Sequence, residues 1–104
     1  MADWSRNTLY VDSNKCISET FFRNISKEII SEEYVYSFEV QYISDSDALF
    51  YFYTKNNVGD ELVVELGKKY SELEFTLKFD FVNEVLGVIK VKGEECWEKS
   101  ICYN

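Results

Sequence analysis

The chain contains no histidine and no proline, and only four glycines, three cysteines and one methionine in 104 residues. Without histidine it lacks the commonest general base and the commonest metal ligand, and no Ser/His/Asp or Cys/His set can form. Cations are also scarce, 11 Lys and Arg against 19 Asp and Glu, for a formal charge of −8. Such a chain is poorly suited to hold a nucleic-acid backbone by charge alone. Gly59 and Gly67 belong to no phosphate loop, because the Gly-x-x-x-x-Gly-Lys-Ser/Thr pattern is missing. No run approaches the roughly 20 apolar residues of a membrane span. The opening Met1-Ala2-Asp3-Trp4-Ser5-Arg6-Asn7 shows neither an apolar stretch nor a small-residue cleavage site, so a cytoplasmic protein is expected.

Cys16, Cys96 and Cys102 are odd in number, which suits three reduced thiols better than a secreted disulfide framework. The alternative is a Cys96–Cys102 bridge closing a short C-terminal loop. Cys96 follows Glu94 and Glu95, an environment that argues against a reactive thiolate.

What the chain does have is apolar bulk: 46% hydrophobic residues, with eight Tyr, eight Phe and two Trp. That suffices for one domain spanning 1–104 with a real core. Alternation predicts a short strand over 8–12, with Leu9 and Val11 on one face and Tyr10 on the other. Ile17, Phe21, Ile25 and Ile29 recur at i+4, with Phe22 and Ile30 beside them, predicting a helix over 17–30. A long strand over 34–44 follows, with Tyr34, Tyr36, Phe38, Val40 and Tyr42 sharing a face. The Asp45-Ser46-Asp47 turn joins it to a second strand over 48–54. Leu62, Val63, Leu66 and Tyr70 predict a helix over 59–70, in which Gly67 signals close packing or an early stop. Strands over 73–82 and 86–92 flank a turn at Asn83-Glu84, and residues 93–104 form a tail with room for one turn of helix.

The expected fold class is therefore α+β: a ferredoxin-like βαββαβ unit with one added C-terminal strand. Right-handed crossovers order its strands 4-1-3-2, with the fifth beside the fourth. Two helices on one face would cover Leu9, Val11, Phe38, Val40, Phe50, Phe52, Phe75, Leu77 and Phe79.

Trp4-Ser5-Arg6-Asn7-Thr8-Leu9-Tyr10-Val11 resembles the start of YubB-type ferredoxin-like domains of phage and plasmid proteins. Phe52-Tyr53-Thr54-Lys55 followed by Tyr70-Ser71-Glu72-Leu73-Glu74-Phe75 is similar to their mid-chain pattern. The Pro residues and the Trp-Gly pair common in that family are missing here. The resemblance implies a mobile-element origin and supplies no catalytic residue.

Two surfaces stand out. Tyr10, Tyr51 and Tyr53 would lie on the uncovered sheet face, where RNA-recognition motifs stack bases. Glu39, Glu74 and Asp80 share that face and repel phosphate, with Lys78, Lys90 and Lys92 opposing them. Between residues 28 and 54, Glu28, Glu32, Glu33, Glu39, Asp45 and Asp47 meet no Lys or Arg at all. An acidic edge can simply block strand-to-strand aggregation. It can also dock on a basic groove and imitate nucleic-acid charge. Asp45-x-Asp47 is not a calcium loop, since apolar Leu49, Tyr51 and Tyr53 follow. No enzyme, metal or cofactor is expected.

The expectation is thus a small acidic binding protein whose partner is a protein with a basic surface. The phage-like resemblance makes a host-defence nuclease complex the sharpest target, as for an anti-CRISPR or anti-restriction inhibitor. Glu32, Glu33, Glu39, Asp45 and Asp47 would carry the contact, with Tyr51 and Tyr53 as aromatic anchors. The alternatives are single-stranded nucleic-acid binding through Tyr10, Tyr51 and Tyr53, and an oligomerising module that pairs with itself.

Overall fold

Side-chain alternation begins at Trp4, well before Thr8, in the computed structural model, which describes residues 3–82 and 84–102. The first strand, β1, is Trp4–Asp12. Its inward positions Ser5 and Asn7 are polar, which hides the two-residue period from a hydrophobicity pattern. Both are buried, and each polar atom finds a partner. Ser5 Oγ donates to Asn7 Oδ1 at 3.1 Å, and Asn7 Nδ2 donates to Thr54 Oγ1 at 3.0 Å. Thr54 Oγ1 in turn donates to the Asn57 carbonyl at 2.6 Å. Satisfied in this way, the polar trio is tolerated inside.

Helix α1 is Glu19–Ile30, capped by Ser18, whose hydroxyl accepts from the Thr20 N–H. It buries Phe22, Ile25, Ser26 and Ile29. The expected stripe through Phe21 is corrected: Phe21 is 48% exposed and Ile30 56%. Strict i+4 steps gain about 40° per turn of a 3.6-residue helix, so they wind off the buried face. Strands β2 (Val35–Ile43) and β3 (Asp47–Lys55) follow, then α2 (Asp60–Lys69), β4 (Glu74–Phe81) and β5 (Val85–Lys92). Of the expected turn at Asn83–Glu84, Asn83 lies outside the described residues. The Glu84 N–H donates to the Phe81 carbonyl. Gly67 in α2 faces Val91 at a distance that leaves no room for a side chain, so the close-packing reading of this glycine holds.

The tail is not helical. Residues 95–102 form a sixth strand, β6 (Glu95–Cys102), joined to β5 by the two-residue turn Gly93-Glu94. Gly93 sits at φ +60°, the left-handed backbone a tight hairpin needs at its first central position. Tyr103 and Asn104, the end of that tail, lie outside the described residues. The sheet is antiparallel throughout and ordered β2-β3-β1-β4-β5-β6, with α1 over β2 and β3 and α2 over β4 and β5. Cys96 and Cys102 stand on one extended strand, about 20 Å apart at roughly 3.3 Å per residue, far beyond disulfide reach. All three cysteines are free and exposed.

The second correction concerns β2. Its pairing with β3 shifts between Tyr36 and Glu39 and again between Val40 and Tyr42, and Ser37 adopts φ +54°. Each bulge flips the parity of the strand. Tyr36 and Tyr42 thereby join Glu39 on the face opposite the helices. Phe38 stays on the helix face, 5.4 Å from the Phe50 ring centroid. Val40 also stays on the helix side, but at the sheet's edge and 45% exposed, so it is not the core residue expected. The core is Leu9, Val11, Phe22, Ile25, Ile29, Phe50, Phe52, Phe75, Leu77, Ile89 and Val91, with their buried neighbours between sheet and helices.

Candidate binding face

The helices cover one side of the sheet, and on the other the register sets out three central rows of side chains. One row runs Tyr36, Tyr53, Arg6, Asp80, Leu86, Ile101 from β2 to β6. The next runs Glu39, Tyr51, Thr8, Lys78, Val88, Lys99. The third runs Tyr42, Leu49, Tyr10, Thr76, Lys90, Trp97. The first two rows without Tyr36, together with Trp97, line a groove of about 720 Å³, a size typical of ligand or peptide clefts.

Aromatic side chains hold one end of this face. Trp4 meets Tyr36 edge-on at 5.1 Å between centroids and Tyr53 at 6.5 Å. Such edge-to-face pairs add about 0.5–1.5 kcal/mol beyond burial and fix the rings in place. Trp4, Tyr36, Tyr51 and Tyr53 nonetheless keep about two-fifths of their surface exposed. Leu86, Trp97 and Ile101 continue the apolar surface on the β5–β6 side. Tyr51 and Tyr53 thus stand where the sequence placed them. Trp4 and Tyr36 were not among the sequence candidates, because only the β2 bulge brings Tyr36 to this side. Trp97 was hidden in the supposed tail, where the Gly93-Glu94 hairpin turn was the available signal.

The charges divide. Arg6 pairs with Asp80 at 2.5 Å between Nη2 and Oδ2. Lys78 and Lys99 have no ion-pair partner among the described residues, and stand in the row that holds Tyr51. Tyr10 is separated from the other two tyrosines functionally: its hydroxyl donates to Asp47 Oδ2 at 2.8 Å.

The acidic candidates do not form one constellation. Asp47 accepts from Tyr10, from Tyr42 at 2.9 Å and, through Oδ1, from Ser44 at 2.6 Å. The Ser44 and Tyr10 hydrogen bonds hold its carboxyl below the usual range, while the same bond to Asp47 drives the Tyr10 phenol upward. Asp47 therefore ties the hairpin tip together. Glu28 is engaged by Lys69 at 2.5 Å and by the Tyr70 hydroxyl. Burial pushes the Glu28 carboxyl up, and these two partners outweigh it to leave it lowered. Glu32 and Glu33 precede β2 and Asp45 follows it, at opposite ends of a strand that spans six residue steps of β3, about 20 Å at about 3.3 Å per residue. Glu39 alone of the sequence-chosen acids lines the groove. Asp45 also takes the Cys16 thiol as a hydrogen-bond partner, which raises that thiol's pKa.

Among the described residues no group of His, Cys, Asp and Glu is arranged to hold a metal ion, and no helix is long and apolar enough to cross a membrane. No family model matches the chain, and neither a curated protein nor a solved structure is significantly similar to it.

Proposed function

We propose that the chain is a non-catalytic binding module that engages a partner protein through the open face of its sheet. The observation that carries this is the exposure of Trp4, Tyr36, Tyr51, Tyr53, Leu86, Trp97 and Ile101 on that face, around or beside a single groove. Exposed apolar side chains gathered on the two sides of one groove mark an interaction site, and Trp and Tyr dominate interface energetics. The acidic edge at Glu32, Glu33, Glu39 and Asp45, with a net charge of −8, steers the module toward a basic partner. A host-defence nuclease complex in the host cytoplasm is the sharpest such partner, and inhibition by occupying its nucleic-acid surface the corresponding activity. The element order β1-α1-β2-β3-α2-β4 supports a ferredoxin-like plan of YubB type, extended here by β5 and β6.

Affinity capture from the native host tests this with three baits. The wild-type chain should retain a basic protein that the Tyr51→Ala/Tyr53→Ala variant loses. Reversing Glu32, Glu33, Glu39 and Asp45 to Lys should weaken capture most at low salt. Unchanged capture by both variants would overturn the proposal.

A second reading, single-stranded nucleic-acid binding, is favoured by one observation: Lys78 and Lys99 share the groove with Tyr51. Base stacking on an aromatic is worth about 1–3 kcal/mol. A labelled oligonucleotide that binds at low salt and is released by Tyr51→Ala would establish this second reading instead.

A further inference from the structure

The two edges of the sheet are unlike. β2 is bulged twice and flanked by acids, features that blunt an edge against further pairing. β6 is regular, pairs with β5 without interruption, and leaves its outer row of backbone N–H and C=O groups open. All eight of its residues are exposed, Trp97 and Ile101 by more than half.

We infer that β6 pairs antiparallel with β6 of a second copy of this chain, with Lys99 on the two-fold axis. A two-fold axis normal to a sheet can only pass between a residue and its own copy, so few registers exist. Centring on Glu98 sets two carboxylates on the axis, as centring on Lys99 sets two ammoniums, but it also opposes Glu95 to Ile101 and Trp97 to Lys99 of the second copy. Centring on Trp97 or Ser100 aligns five residues of β6, 95–99 or 98–102, against seven for Lys99. Centring on Lys99 aligns residues 96–102 and pairs Trp97 with the second copy's Ile101 twice, on the groove side. On the other side it sets Cys96 opposite the second copy's Cys102, also twice. Directly opposed residues in an antiparallel pair have Cα atoms about 4.5–5.5 Å apart, within the range a disulfide spans. One strand thus carries both halves of a self-complementary pattern, and the two sheets join into one with both grooves on the same side.

Each Cys96–Cys102 contact reports the register. Diamide, an azo oxidant, converts two opposed thiols to one S–S bond, and their two electrons and two protons reduce its N=N bond to a hydrazine. With Cys16→Ser in all samples, the chain should have the light-scattering mass of a dimer and crosslink on oxidation. Cys96→Ser alone and Cys102→Ser alone should not crosslink. Mixing these two variants should restore one crosslink per dimer, because each supplies the cysteine the other lacks. Lys99→Thr removes the like-charge contact on the axis and should lower the dimer dissociation constant up to about fivefold. A one-chain mass at high protein concentration overturns the inference. So does crosslinking of a single variant with itself as readily as in the mixture, or a dimer weakened by Lys99→Thr.

Discussion

Substituting Gly67 by alanine sets two known effects against each other. Gly67 lies within α2, where alanine is favoured over glycine by about 1 kcal/mol on helix propensity. A Cβ at this position would lie 2.3 Å from Val91 Cγ1 and 3.4 Å from the Gly93 carbonyl oxygen. Val91 is 1% exposed, and its branched side chain has few alternative rotamers. Overpacking of this kind costs about 1–3 kcal/mol. Gly67→Ala should therefore destabilise the protein by about 1 kcal/mol despite the better helix former. Val91→Ala alone removes two methyl groups from the core and should cost about 2 kcal/mol. In the double variant the new methyl enters the space that Val91 vacates. The two changes should then be non-additive by about 1–3 kcal/mol in favour of the double variant. Urea unfolding of the four proteins, with unchanged slope, gives each term. A Gly67→Ala protein more stable than wild type, or additivity within about 0.5 kcal/mol, would refute the packing argument.

The remaining predictions concern titrating groups and strain. The Asp47 carboxyl is lowered, so its contribution is present above the unfolded value near 4 and is lost as pH falls through the folded one. Asp47→Asn should flatten the acid limb of stability against pH, as followed by circular dichroism. Burial, then the Glu28 carboxylate, pushes the Tyr70 phenol up to about 12, so stability should fall as pH rises from about 10 toward that value. Tyr70→Phe should remove that share of the alkaline loss, and an unchanged alkaline limb would count against it. Val82 is a β-branched residue at φ +48°, a conformation costing such side chains about 1–2 kcal/mol. Val82→Asn, which tolerates that backbone, should raise the urea midpoint.

The sequence displayed the helix-backed core well, because Leu9, Phe50, Phe52, Phe75 and Leu77 alternate without interruption in strands buried on one face. It concealed β1's first half because Ser5 and Asn7 meet their hydrogen-bond needs internally, which no hydrophobicity pattern registers. It misassigned the faces of Tyr36 and Tyr42 because a bulge costs one residue of register and leaves no mark on composition, and it overrated Val40 because edge position leaves no such mark either. β6 was concealed for the opposite reason: it buries nothing, so Cys96, Trp97, Ser100 and Ile101 carry no core-facing alternation. The candidate site followed the same pattern. Tyr51 and Tyr53 sit on a regular strand and were legible. The acids were legible only as a run in sequence, whereas hydrogen bonds from Tyr10, Tyr42 and Ser44 to Asp47 depend on the tertiary fold.

The central position of β1 bears on how the chain folds as it is synthesised. Leu9 is flanked by Phe50 on one side and Leu77 on the other. β1 therefore precedes both of its neighbours in synthesis, β3 being complete at Lys55 and β4 only at Phe81. The β2–β3 and β4–β5 hairpins form from local sequence, whereas β1 must wait to be inserted between them, a long-range closure that slows folding. In that interval an apolar strand is exposed on a nascent chain, and the polar run Ser5-Arg6-Asn7-Thr8 between Trp4 and Leu9 limits what it can wrongly pair with. Refolding from denaturant should accordingly be faster in a circular permutant that begins at α1 and places β1 last, after β6.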